Sequence, residues 1–292
     1  MLDYPALAAV AAVIREGTFE RAALSLGITP SAVSQRVRGF EERLGAILII
    51  RGQPCHPTEL GRKLCAHFDR VRLLETDLAI RKGPDPSRAP LKIAVNADSL
   101  ATWFLEAART FGHTAGIPLE LTLDDEAHTA DRLRSGEVVA AVTADAGPVQ
   151  GCRTIPLGSL RYAACASPGF VARFFPNNMT AAELAEAPCL RFDPRDGLQA
   201  RWAREVLDIE LDAPSYSVAS THAFIDLAIA GLAWGMQPVQ LAEPHIAAGR
   251  LVELAPQTRI DVELNWIVAG LPVASLDLLT KAVRSSAQNA LF

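Results

Sequence analysis

The sequence predicts an α/β protein with a small helical head: a helix-turn-helix with a wing, then a long helix, a hinge and a body of two α/β lobes. Three observations carry this expectation. Helical patterning fills residues 19 to about 82 apart from one short extended run; residues 82–90 (KGPDPSRAP) hold three prolines; and beyond them strand-like apolar runs alternate with helical ones. At 292 residues the chain also exceeds the usual size of one domain.

The first element to justify is the helix opened by ITPSAVSQRV, residues 28–37. Thr29 suits the cap, and Pro30 suits the first helical position, where its missing N–H costs nothing. At helical spacing Val33, Val37, Phe40 and Leu44 fall on one side, while Ser31, Ser34, Gln35 and Arg38 form a polar stripe on another. Just upstream, FERAALSL (19–26) reads as a short helix stopped by Gly27. Ala23, Gly27 and Val33 then stand where two tightly crossed helices need a small contact, a free backbone and an apolar wedge. The second helix of such a unit enters the DNA major groove, where short Ser, Gln and Arg side chains reach base edges. The same residue types suit any solvated amphipathic helix, so this reading draws on its context.

The extended run 47–51, a Gly-Gln-Pro turn and Pro57-Thr58 read as a small hairpin wing, with Arg51 and His56 beside the sugar-phosphate backbone. From Thr58 the pattern is helical again, with Leu60, Leu64, His67, Val71, Leu74 and Leu78 on an a/d seam. That seam suits a dimerising helix that holds two heads at a fixed spacing, or one face buried on its own domain. Residues 82–90 form the hinge.

In the body, residues 91–97 read as a strand, 98–111 as a helix, 119–125 as a strand, 129–135 as a helix and 138–144 as a buried strand. This order implies a mainly parallel sheet covered on both faces. The same alternation returns in CLRFDP (189–194), a helix over about 197–207, YSVAS (216–220), a helix over 221–229 and LAWGMQP (232–238), which implies a second lobe.

Composition narrows the function. The net charge of -5 disfavours indiscriminate nucleic-acid binding, but residues 1–88 carry +3 and the remainder -8, a basic head on an acidic body. No apolar run reaches a membrane span, and the N-terminal stretch lacks a basic leader and carries Arg15 and Glu16 directly behind its apolar part, so an untargeted, cytoplasmic chain is expected. Cys55, Cys65, Cys152, Cys165 and Cys189 are odd in number and scattered, suggesting neither disulfides nor zinc; a redox pair of Cys55 and Cys65 stays open. No nucleophile elbow, phosphate loop, dinucleotide fingerprint or zinc-protease motif occurs, so no enzyme, cofactor or metal is expected.

A ligand in an open α/β sheet belongs where strands end and helices begin. Asn96-Ala97-Asp98-Ser99, His128-Thr129 and Ser220-Thr221-His222 are such junctions, each able to seat a carboxylate or simply to cap its helix. Asp124-Asp125-Glu126, if it faces the pocket, supplies acceptors for an ammonium or guanidinium. Together they describe a basic amino acid.

These parts together resemble the LysR-type transcriptional regulators over essentially the whole chain. More narrowly, GTFERAALSLGITPSAVSQRV, AVNADSLATWF, DDEAHTADRLRSGEVVAAVT and GLAWGMQP are similar to the ArgP/LysG branch. The resemblance implies a winged helix-turn-helix DNA-binding domain (1–60), a linker dimerisation helix and hinge (61–90) and a periplasmic-binding-protein-like regulatory domain (91–292). Lobe 1 is then about 91–160 with 268–292, and lobe 2 about 161–267. The implied partners are double-stranded promoter DNA, lysine or arginine as effector, a second copy or a tetramer, and RNA polymerase, without a membrane. Control of amino-acid export or metabolism genes is implied as well. The DNA contacts would be Pro30, Ser31, Ser34, Gln35, Arg36 and Arg38, with Arg51 on the backbone. The effector contacts would be Ser99, Asp125, Glu126, Thr129, Thr143 and Thr221, with Trp234 nearby. His222-Ala223 departs from the Glu-Gly or Glu-Ala of that branch, which leaves open which basic amino acid is preferred. The alternative is an architectural or replication-origin DNA-binding protein without small-molecule sensing, since one member of the branch is described as an inhibitor of replication initiation.

Overall fold

The structure, a computed structural model, describes residues 2–78, 90–123, 126–144, 147–177 and 179–292, with residues 76–78 and 126–128 described in backbone only. The head opens with α1 (Tyr4–Glu16), capped by the Asp3 carboxylate and ended by Gly17 at φ 78°. Helix α2 (Phe19–Leu26) is capped by Thr18, and Gly27 at φ 65° turns the chain while its N–H reaches the carbonyls of Ala23 and Leu24. A side chain at that φ would be strained, which is why glycine serves the turn. Helix α3 (Pro30–Leu44) starts as its sequence dictates: the Thr29 hydroxyl accepts from the Ala32 N–H at 3.2 Å. Leu7, Val10 and Val13 of α1 meet Ala23, Val33, Val37 and Phe40 in a core of their own.

The wing is short, β1 (Ile49–Ile50) pairing antiparallel with β2 (His56–Pro57). The Glu41 carboxylate ties it to α3 by accepting from the Leu48 and Ile49 N–H groups. Helix α4 (Glu59–Leu78) is shared between head and body. Its Leu64, Cys65 and Phe68 pack on the head core, and its Leu73 and Leu74 on the body core. Leu60 is 40% exposed and His67 is exposed beside the Tyr4 hydroxyl, so the a/d stripe is divided between packing within the chain and solvent. The hinge expected at 82–90 lies outside the described residues except for Pro90.

The body begins with β3 (Leu91–Val95), α5 (Ala97–Thr102), α6 (Phe104–Ala115), β4 (Leu119–Leu123), α7 (Glu126–Ser135) and β5 (Ala140–Thr143). The helix expected over 98–111 is thus two, broken at Trp103, whose indole is buried against the Phe104 ring. Then come β6 (Cys152–Ala166), α8 (Pro168–Phe174), α9 (Ala181–Glu186), β7 (Cys189–Arg191), α10 (Leu198–Leu207), β8 (Ser215–Ser217), α11 (Thr221–Ile229) and β9 (Gly235–Pro238). The chain closes with α12 (Val239–Ala247), β10 (Val252–Glu253), β11 (Ile260–Ala269) and α13 (Ala274–Ala290).

The expectation of a mainly parallel sheet needs correction. In the seven-stranded sheet β3 pairs parallel with β4 and β5, as expected for residues 91–144, but β5–β11, β11–β6, β6–β9 and β6–β10 all pair antiparallel. The cause is the pair of long strands β6 and β11, which run through both lobes. Cys152 of β6 sits opposite Ala269 in lobe 1, while Ala163 sits opposite Gln237 of β9 in lobe 2. Their register slips between Leu264 and Asn265, leaving Leu157 unpaired beside Gly158 at φ 116°. Such a bulge bends and twists a strand. Within lobe 2, β7 and β8 form a separate parallel pair, and the strand expected over 216–220 spans 215–217.

Candidate functional site

The head presents one exposed polar face. Pro30, Ser31, Gln35, Arg36 and Arg38 are exposed along the N-terminal half of α3 and Ser34 is half-buried, because Val33, Val37 and Phe40 turn the opposite face into the core. Among the described residues the Gln35 and Arg36 side chains have no hydrogen-bond or ion-pair partner, whereas Arg38 Nε donates to Glu42 at 2.8 Å. Arg51, just before the wing turn, lies over the Phe19 ring at 5.2 Å, which holds the guanidinium at the start of α2.

The second site lies between the lobes. Asp98, in the first turn of α5, is the centre of it. The Thr221 hydroxyl, at the start of α11 in lobe 2, donates to Asp98 Oδ1 at 2.6 Å, and the Tyr162 hydroxyl on β6 donates to Oδ2 at 2.7 Å. Burial raises the Asp98 carboxyl above its usual range; the two hydroxyls oppose this, and the negative charge of Asp196 adds to it. Among the described residues no cation pairs with it. Asp98, Tyr162, Asp196, Thr221 and Gln237 line a cleft of about 360 Å³, part of it open to solvent, over an apolar floor that includes Phe224 and Met236. The enclosed part is only about 70 Å³, well below the roughly 300–1,000 Å³ of small-molecule sites.

The expected effector residues divide. Thr221 is in the cleft. Ser99, Thr129 and Thr143 are buried at 0%, 2% and 0% exposure, near where β3, β4 and β5 end, but do not line the cleft itself. Asp125 lies outside the described residues, and Glu126 starts α7 without a described side chain. Trp234 is fully buried against the Trp202 ring, centroids 5.3 Å apart, as part of the lobe 2 core rather than the cleft lining. Asp98 itself stands in the first strand-to-helix junction, but its sequence signal is that of helix capping. Tyr162 lies on β6, whose pattern Pro156 and Gly158 interrupt, and Asp196 and Gln237 have no local signature.

A third cluster joins the sites. Asp69 of α4 accepts from Arg15 of α1 at 3.5 Å and from Lys92 of β3 at 3.1 Å, so one carboxylate links head, linker helix and body. The next residue, Arg70, donates to carbonyls in the last turn of α7, Leu133 at 2.9 Å and Arg134 at 3.5 Å. Positive charge at a helix C-terminus is favourable. Gly136 makes room for it: a Cβ there would lie 2.4 Å from Arg70 Nε, at φ 77°. The cysteines form no such cluster. All five are free, and the Cys65 and Cys165 thiols are pushed up to about 12 chiefly by burial, which disfavours the reactive thiolate.

An exposed helix-turn-helix joined by a long helix to a two-lobed α/β body with an interlobe cleft defines a ligand-responsive DNA-binding regulator. Comparison with known proteins agrees. Residues 5–62 match the bacterial regulatory helix-turn-helix of the LysR family, and residues 84–284 match the LysR substrate binding domain. The chain is 43% identical to the HTH-type transcriptional regulator ArgP of Pseudomonas aeruginosa, over 91% of this chain and 89% of that one. It superposes on the crystal structure of ArgP from Mycobacterium tuberculosis with a TM-score of 0.82 at 38% identity, covering 100% of this chain and 99% of the other. For full-length LysG from Corynebacterium glutamicum with bound effector arginine, the TM-score is 0.71 at 36% identity, covering 99% of both chains. This chain therefore belongs to the LysR family of transcriptional regulators, which are not enzymes. No helix among the described residues is long and apolar enough to cross a membrane.

Proposed function

We propose that this regulator senses a basic amino acid, lysine or arginine, in the cleft between its lobes and controls genes of amino-acid export or metabolism. The observation that carries this reading is Asp98: a half-buried carboxylate, facing a cleft, with two hydroxyl donors and no cation among the described residues. Taking a charge even partly out of water without a countercharge is costly, and a ligand ammonium or guanidinium offsets that cost. The LysG structure with bound arginine supports the same ligand class. Ser99, Asp125, Glu126, Thr129, Thr143 and Thr221 are proposed to shape the site, with Trp234 supporting it from the core.

On DNA, Pro30, Ser31, Ser34, Gln35, Arg36 and Arg38 are proposed to meet the major groove and Arg51 the phosphate backbone. Two heads are held by paired α4 helices in a dimer or a tetramer, and RNA polymerase is the downstream partner. A ligand that binds one lobe arrangement better shifts the population toward it, and the contacts of Asp69 and Arg70 carry that shift to the head. Footprinting on the promoter beside its own gene, with and without lysine or arginine, tests the reading. A basic amino acid should change the protected region. Identical footprints with every amino acid would favour the architectural alternative.

A further inference from the structure

Gln237 is fully buried, and neither Oε1 nor Nε2 of its side-chain amide has a hydrogen-bond partner among the described residues. Its backbone is paired in the sheet, opposite Ala163, so only the amide is left over. It lines the cleft together with Asp98, Thr221 and Asp196. Asp196 is already engaged, accepting from the Phe192 and Leu198 N–H groups and from Gln199 Nε2. Buried polar groups are normally paired, and an orphan at the wall of a cavity is most simply explained by a partner that arrives with the ligand.

The chemistry separates the two walls. A carboxylate only accepts, so Asp98 suits a cation; a primary amide offers two N–H donors and a carbonyl acceptor, the complement of an amino acid's own carboxylate and ammonium. Resting on the reading of the cleft as a basic amino-acid site, we infer that Gln237 is a specificity-determining residue that donates from Nε2 to the ligand's α-carboxylate. The cleft then measures both ends of its ligand: Asp98 tests for the side-chain cation and Gln237 for the amino-acid head. A diamine lacking the carboxylate satisfies only the first.

Calorimetry on the full chain tests this with arginine against agmatine and lysine against cadaverine, each pair differing by the α-carboxylate. Wild-type protein should bind the amino acid at least about tenfold more tightly than its decarboxylated partner, the worth of roughly one hydrogen bond to a charged group. Gln237→Met, similar in volume but without the amide, should abolish that preference by weakening the amino acid while changing the diamine little. Its melting temperature should equal or exceed that of wild type, because an unpaired buried amide has been removed. Gln237→Glu provides a second variant: its carboxylate repels the ligand's and should reverse the preference. Unchanged arginine or lysine affinity in Gln237→Met overturns the assignment, as does equal loss of amino acid and diamine. Wild-type protein that binds neither arginine nor lysine instead overturns the reading of the cleft itself.

Discussion

Asp98→Asn perturbs the proposed cation site while keeping its shape. Asparagine retains one acceptor for the hydroxyls of Thr221 and Tyr162, which reach Asp98 at 2.6 and 2.7 Å, and a hydroxyl facing the new NH2 group is able to rotate and accept. What is lost is the charge. A hydrogen bond to a charged group contributes about 1.5–3 kcal/mol, and about 1.4 kcal/mol is tenfold in affinity. Affinity for a cationic amino acid should therefore fall roughly 10- to 150-fold, read by calorimetry. Because burial raises the Asp98 carboxyl in the folded state, the native protein holds more protons than the unfolded chain between the ordinary carboxylate range and the raised value. Ligand-free stability should fall as pH rises through that window, and Asp98→Asn should remove that part of the slope. Ligand binding favours the ionised form, so affinity should weaken as pH falls through the same window, with protons released on binding. Wild-type affinity in Asp98→Asn, or proton uptake on binding, would refute the assignment of Asp98 as the cation acceptor.

Other perturbations separate the remaining roles. Gln35→Ala should reduce discrimination between a specific site and random DNA, whereas Arg51→Ala should weaken both alike and flatten the salt dependence by about one unit; fluorescence anisotropy at several salt concentrations distinguishes them. Equal loss on all sequences from Gln35→Ala contradicts base readout. Arg70→Ala, which frees the last carbonyls of α7, should leave effector affinity intact but blunt the effector's influence on DNA binding. A full DNA response in that variant removes α7 from the coupling route. Trp234→Ala should cost about 3–5 kcal/mol in chemical denaturation, as expected for a buried aromatic. Unchanged stability with lost ligand affinity would instead return Trp234 to the site.

The head was legible because its determinants are local. Thr29 caps α3, Pro30 fills its first turn, Gly27 supplies the left-handed turn, and Val33, Val37 and Phe40 recur at helical spacing, all within one short stretch. The body was legible one element at a time, and so was the parallel trio β4, β3 and β5, but the antiparallel remainder of its sheet was not. The antiparallel pairing depends on β6 and β11, which lie about a hundred residues apart and whose bulge at Leu264 conceals their regular pattern. The cleft was half legible for the same reason. Thr221 follows a capping serine and stands out as a helix start, but its partner Asp98 is 123 residues away, and nothing near Asp98 in sequence distinguishes a cleft carboxylate from a cap. Gln237 and Asp196 acquire meaning only when the lobes face each other. Junction chemistry marked the edge of lobe 1 without saying which of its polar groups reach the cleft.

The most direct test of the account is titration of the full-length protein with arginine, lysine, histidine and citrulline, the last an arginine analogue whose uncharged ureido group replaces the guanidinium. Saturable binding of arginine or lysine with no detectable binding of citrulline at the same concentrations is the predicted result, because the cleft presents carboxylates and no countercharge among its described residues. Binding of citrulline as tight as that of arginine, or no binding of any basic amino acid, would contradict it.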